Sequence, residues 1–171
     1  MVLALDTLSK QGQSQLTINR LVSDLGVTKG SFYWHFENRA DFVHKLLEYW
    51  AKEFTEDIGK RVLAEKGDAA IHLYRLMEVV TINDVSRYDI AVRAWAHQDT
   101  NVAKIVKRVN KMRMNYVQSL FRDLGFKGEE LEIRSTSFLY WASFEHSVFG
   151  SRTRKEKLRM LKKRFVFFTR P

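Results

Sequence analysis

Apolar residues recur at spacings of three and four along nearly the whole chain, and no stretch alternates with the period of two that a half-buried strand would show. Val2 to Lys10 carries Leu3, Ala4, Leu5 and Leu8, enough for a short first helix ending near Gly12. Ile18, Leu21, Val22 and Leu25 form one narrow stripe. Thr17 stands before it as an N-cap, and Gly26 follows where a helix C-terminus needs a left-handed residue. Val27 can plug the turn, and Thr28 can cap a second helix over Thr28–Phe36. Asn38, with Asp41 three residues on, resembles a capping box. It opens a long helix through Val43, Leu46, Leu47, Trp50, Phe54 and Ile58, expected to weaken or stop at Gly59 or Gly67.

The pattern continues beyond Asp68, which can cap a helix bearing Ile71, Leu73, Leu76, Met77 and Val80. Tyr88 to His97 is a shorter segment. Asp99 or Thr100 caps a long one from Val102 to Leu124, halted by Gly125. Glu129 to Phe149 holds Phe138, Trp141 and Phe144 and ends at Gly150, and a last helix repeats Leu158, Leu161, Phe165 and Phe168. The one Pro is terminal and Gly is scarce, so nothing interrupts these segments. The expected fold is all-α. It comprises an N-terminal three-helix module at 1–49, continuing into a linking helix, and a second helical domain at 50–171.

Two caps, one Gly and about three residues of turn match a helix-turn-helix, whose second helix enters the DNA major groove. The run GVTKGSFYWHFENRADF, Gly26 to Phe42, resembles the DNA-binding signature of the tetracycline-repressor (TetR) family of transcriptional regulators. The likeness extends from about Val2 to Tyr49. Two departures lower the expected DNA affinity: the chain begins almost inside the first helix, without the basic residues usually ahead of it, and Gln13 and Ser14 replace a common aromatic.

The resemblance implies a ligand-responsive repressor that binds a near-palindromic DNA operator as a homodimer, sensing a small-molecule effector in its second domain. Lys29, in the first turn of the recognition helix, can reach a base edge or phosphate, and Gly30 permits close approach. Ser31 adds a small donor and acceptor. Tyr33, Trp34 and His35 would face the groove while Phe32 and Phe36 turn to the core; alternatively Tyr33 and Trp34 are core aromatics. Thr17, Thr28 and Arg39 complete the expected DNA-contacting set, through helix N-termini that bind phosphate. Effector-pocket candidates are Tyr74, Arg87, Tyr88, Trp95, His97, Met112 and Tyr116, polar tips on apolar bodies that also suit ordinary core packing. Phe138, Trp141, Phe144 and Phe149 with Leu158, Leu161 and Phe165 are expected at the subunit interface, where aromatics are favoured.

Charge alters the picture by its position. The net charge is +9, yet residues 1–50 carry five basic and five acidic residues. Residues 151–171 carry nine basic residues against Glu156 alone. The final helix therefore reads three ways: a solvated face of a dimerisation helix, a membrane-surface helix, or an auxiliary DNA patch. The alternative function is accordingly a helical interaction or membrane-peripheral protein acting through that helix, and a further one is non-specific DNA compaction.

Absence of Cys excludes disulfides and thiolate chemistry. The five His show no i,i+4 metal pair, and no nucleophile elbow, P-loop or dinucleotide fingerprint occurs. Glu145 beside His146 points elsewhere on a helix. No enzyme activity, cofactor or metal is expected. No run approaches the roughly 18 apolar residues of a membrane span, so a soluble, cytoplasmic protein without a membrane partner is expected.

Overall fold

The computed structural model describes residues 1–149 and 152–170, with the backbone alone for 147–149. The described residues form α1 (Val2–Gln11), α2 (Ile18–Leu25), α3 (Lys29–His35), α4 (Arg39–Ala51), α5 (Asp57–Ala64), α6 (Ala69–Ile82), α7 (Ser86–Ala96), α8 (Thr100–Asp123), α9 (Gly128–Phe149) and α10 (Arg154–Thr169). A 3-10 turn at Gln13–Gln15 precedes α2, and a π-helical turn at Lys52–Glu56 joins α4 to α5. No strand occurs among the described residues.

Side-chain caps set where these helices begin. The hydroxyls of Thr17 and Thr28 accept from the Arg20 and Ser31 amides at 3.3 and 3.1 Å. Asp68 and Asp99 accept from Ile71 and Asn101 at 3.0 and 2.9 Å. Asn38 accepts from Asp41 at 2.9 Å, but the Asp41 carboxylate returns to the Glu37 amide at 3.1 Å, one residue earlier than a capping box requires. A complete capping box stands at Thr153 and Glu156. Gly26 ends α2 at φ 64°, the left-handed geometry that favours glycine.

Two apolar cores result. The first joins Leu5 and Leu8 of α1, Leu21 of α2, Phe32, and Phe42, Leu46, Leu47 and Trp50 of α4 to Val92 and Trp95 of α7 and Val102, Val106 and Val109 of α8. The second gathers Ile58, Val62, Leu73, Met77, Val117, Leu120, Phe121, Phe138, Leu161 and Phe168. At 24 residues, α8 is about 36 Å long and serves both. A cut at residue 49 therefore does not divide the packing, because the first core takes a wall from α7 and α8.

The continuous helix expected from Asn38 past Ile58 is instead interrupted by the π turn. The extra residue in that turn rotates α5 relative to α4, so Val43, Leu46, Leu47 and Trp50 serve the first core while Ile58 and Val62 serve the second. Arg113 of α8 holds the turn, donating from Nε to Thr55 Oγ1 at 2.9 Å and from Nη2 to the Phe54 carbonyl at 3.2 Å. Its Nη1 pairs with Oδ2 of buried Asp89, whose Oδ1 accepts from Trp50 Nε1 at 3.1 Å. Arg108 to Glu48, at 2.6 Å, and Tyr88 to Asp6, at 2.7 Å, add further ties between the N-terminal helices and α7–α8.

Candidate nucleic-acid interface and internal cavity

The N-terminal helices leave one positively charged concave face. A shallow depression of about 250 Å³ is lined by Thr17, Ile18, Asn19, Lys29, Tyr33 and Arg39, with no acidic residue among them. The charge-neutral module thus concentrates two cations on one side. Thr17 caps α2 with its hydroxyl, and Ile18 and Asn19 of the first turn of α2, whose amides have no intrahelical acceptors, line the same depression. Arg39 is steadied by donating from Nε to the Leu16 carbonyl at 3.4 Å.

The heptapeptide Lys29–His35 alternates sharply between inside and outside. Phe32 is buried against Phe36 and Phe42, with ring centroids 4.8 and 5.5 Å away. Tyr33 and Trp34 are 53% and 82% exposed, which removes the core-aromatic alternative for both. Trp34 stands edge-on to His35, and Lys45 donates to the His35 carbonyl at 3.2 Å, placing a cation at the C-terminus of α3. The structure brings Thr17, Lys29, Tyr33 and Arg39 together in the depression. Thr28, Gly30, Ser31, Trp34 and His35 are exposed on the same short helix or its cap but do not line it. Asn19 escaped the sequence reading, although its place two residues after an N-cap was visible.

A second concavity, about 290 Å³, lies between the π turn, α5, α6, α8 and α9. Ile58, Leu76, Val80, Val117 and Phe138 give it an apolar wall, and Asp89, Arg113 and Ser143 are its inner polar residues. Burial pushes the Tyr116 hydroxyl in this wall up to about 12, and that hydroxyl has no hydrogen-bond partner.

Only Met112 and Tyr116 of the expected pocket residues line this cavity. Tyr74 packs edge-on against Phe165 at 5.3 Å, Arg87 pairs with Asp6 at 3.2 Å, and His97 is exposed. Tyr88 is buried in the first core beside Trp95, with its hydroxyl on Asp6; burial and then the Asp6 hydrogen bond raise its pKa. The cause is the rotation of α7. The stripe of Tyr88, Val92 and Trp95 faces α1 and α4, whereas Val85 and Asp89, about 100° around the helix, face the cavity. Helical period alone does not say which stripe meets which neighbour.

The expected interface set is also corrected. Phe138 and Leu161 are fully buried in the second core, and Trp141, Leu158 and Phe165 are half-buried against it. Phe144 is exposed, and the Phe149 side chain lies outside the described residues. The outward stripe of α9 is Ile133, Tyr140 and Phe144, at spacings of seven and four, and α10 exposes Val166 and Phe167. Folding buries the aromatics of one α9 face and leaves the other for solvent or a partner.

Elsewhere Glu145 pairs with Arg164, and His146 Nδ1 meets Asp84 Oδ2 at 2.9 Å, so the adjacent pair is split between two partners. No cluster of three or more His, Asp or Glu suited to a metal occurs among the described residues, and no described helix is long and apolar enough to cross a membrane.

Residues 1–46 match the model of the bacterial regulatory proteins of the tetR family. The whole fold is similar to that of the fatty acid degradation regulator FadR from Bacillus halodurans, at TM-score 0.70 and 14% identity, covering 97% of this chain and 90% of that one. It is also similar to a protein from Mesorhizobium loti assigned to TetR-family transcriptional regulators, at TM-score 0.63 and 13% identity, covering 96% and 91%. At these identities the structural likeness establishes a shared all-α architecture, and the family match is confined to α1–α4. Residues 1–46 thus match the N-terminal domain of the bacterial regulatory proteins of the tetR family, within an all-α fold shared along the whole chain.

Proposed function

We propose that the protein is a ligand-responsive repressor that binds a near-palindromic operator as a homodimer. Residues 1–49 act as its DNA-binding module and residues 50–171 as its sensing and dimerisation domain. The observation that carries this reading is the cationic depression in which Thr17, Lys29, Tyr33 and Arg39 converge. Lys29 and Tyr33 enter the major groove on the short helix α3, with Gly30 and Ser31 allowing close approach. Trp34 and His35 flank the groove, and Thr28 holds the helix start. The free amides of α2 and the Arg39 guanidinium grip one phosphate, fixing the register without reading sequence.

Two-fold symmetry supplies the second recognition helix about 34–36 Å away, one turn along the duplex. The exposed stripe of Ile133, Tyr140 and Phe144, with Phe167 of α10, supports a subunit contact on this side of the molecule. An effector in the cavity beside the π turn favours a conformer with the wrong spacing, and DNA affinity falls by linkage.

Selection of bound duplexes from a random pool tests the operator reading, and returned sequences with two related half-sites one helical turn apart are expected. Lys29→Ala and Tyr33→Ala each weaken binding to the selected duplex about tenfold, a base-edge contact being worth roughly 1–3 kcal/mol. Circular dichroism and assembly mass stay unchanged. Wild-type gel shifts from both variants overturn the assignment.

A further inference from the structure

The cavity's charges cancel locally. Asp89 and Arg113 are its inner ionisable residues, and they pair with each other. Among the described residues, every hydrogen bond Arg113 makes goes to Asp89, Thr55 or the Phe54 carbonyl. Asp89, 1% exposed, divides its oxygens between Arg113 and the Trp50 indole. Glu56 and Lys60 add one charge of each sign. Arg93, a further inward-lying cation, donates to Asn110 at 2.7 Å and to Ser143 at 3.1 Å and does not line the cavity. An anionic or cationic ligand would shed its water and meet no uncompensated counter-charge among the residues that line the cavity, a cost of several kcal/mol per ion. Arg93, which has no ion-pair partner among the described residues, stands outside that lining.

One polar group in this wall is unspent. The Tyr116 hydroxyl is shielded from water and has no partner, while its ring lines the cavity beside Gly59. A Cβ placed on Gly59 would lie 4.0 Å from the ring edge, so the ring is not clamped from that side. Its raised pKa keeps the hydroxyl a proton donor throughout the neutral range. An unsatisfied buried donor costs about 1–3 kcal/mol, which a ligand oxygen reaching it would recover.

We infer that the cavity selects an uncharged, largely apolar molecule carrying one acceptor oxygen, such as a ketone or ester, which the Tyr116 hydroxyl engages by a small swing of the side chain about its Cα–Cβ bond. This rests on reading the cavity as an effector site and adds the chemistry of the effector.

The test uses the full chain without DNA, loaded with the neutral fluorophore N-phenyl-1-naphthylamine. The loaded protein is titrated at neutral pH with 2-decanone, decanoate or decylammonium, which share one chain length and differ in head group. 2-Decanone is expected to displace the fluorophore at about tenfold lower concentration than either ion. Tyr116→Phe raises the concentration of 2-decanone required about five- to tenfold while leaving fluorophore affinity unchanged. Equal or better displacement by either ion, no fluorophore binding, or a uniform effect of Tyr116→Phe on fluorophore and ketone overturns the inference. Adding ketone to the operator complex separates the two readings. Ketone binding that leaves the complex intact defeats ligand-responsive repression but not the ligand chemistry.

Discussion

Replacing Asp89 by Asn keeps the shape of the side chain and removes its charge, leaving Arg113 as an uncompensated interior cation. The Asp89 side chain is 1% exposed and that of Arg113 is 14%, so water replaces little of what is lost. Breaking a buried pair by removing one partner costs about 3–5 kcal/mol. For a chain of this length each kcal/mol shifts the melting temperature by roughly 2–4 °C, giving an expected fall of roughly 6–20 °C. The damage should be concentrated where α4, the π turn and α8 meet, because Asp89 also accepts from Trp50 and Arg113 also holds Phe54 and Thr55. Urea unfolding at fixed protein concentration, followed by tryptophan fluorescence, measures the loss. The double variant Asp89→Leu/Arg113→Met, which removes both charges, should recover most of it, since apolar replacements of a buried pair are often neutral or better. A loss below about 1 kcal/mol in the single variant, or a double variant as unstable as Asp89→Asn, refutes the picture of a desolvated pair.

Local geometry sets three other outcomes. Gly26→Ala should destabilise the chain by about 1–2 kcal/mol, seen as a lower urea midpoint. The space around Gly26 is open, so the cost is the left-handed backbone alone. Lys45 hydrogen-bonds Asp41 and, as the largest of several causes, lowers its pKa below the ordinary 3.8. A depressed carboxylate contributes stability that is present above its ordinary value and lost as pH falls through the lowered one. Lys45→Met should therefore raise the Asp41 carboxyl titration seen by NMR and reduce stability at neutral pH but not in strong acid. Tyr140→Glu, placing a charge in the exposed α9 stripe, should shift sedimentation toward monomer and weaken operator binding in parallel, without lowering helicity; an unchanged assembly would move the subunit contact elsewhere.

Much of this protein was legible from local rules. Thr17, Thr28, Asn38, Asp68 and Asp99 cap the helices that their positions announce, because a cap needs only its own backbone three residues on. Phe32 turns in while Tyr33 and Trp34 turn out, as the spacing of that short helix requires. The signature from Gly26 to Phe42 pointed to DNA through residue types that a structural role alone does not demand.

What the sequence could not determine was how helices meet. Nothing local told Tyr88 and Trp95 that their stripe would face α1 and α4 and leave Asp89 to the cavity, since that depends on the rotation of α7 against distant partners. Phe138 and Phe144 lie on the same helix, α9, and only packing against α8 and α10 made one core and the other surface. The π turn, likewise, is held by Arg113, 58 residues from Thr55 along the chain. Start signals, period and the helix-turn-helix motif are short-range and survive in one dimension. The convergence of Thr17, Lys29, Tyr33 and Arg39 into one cationic depression, and the neutral cavity beside the π turn, exist only once helices far apart in sequence have chosen which faces to bury.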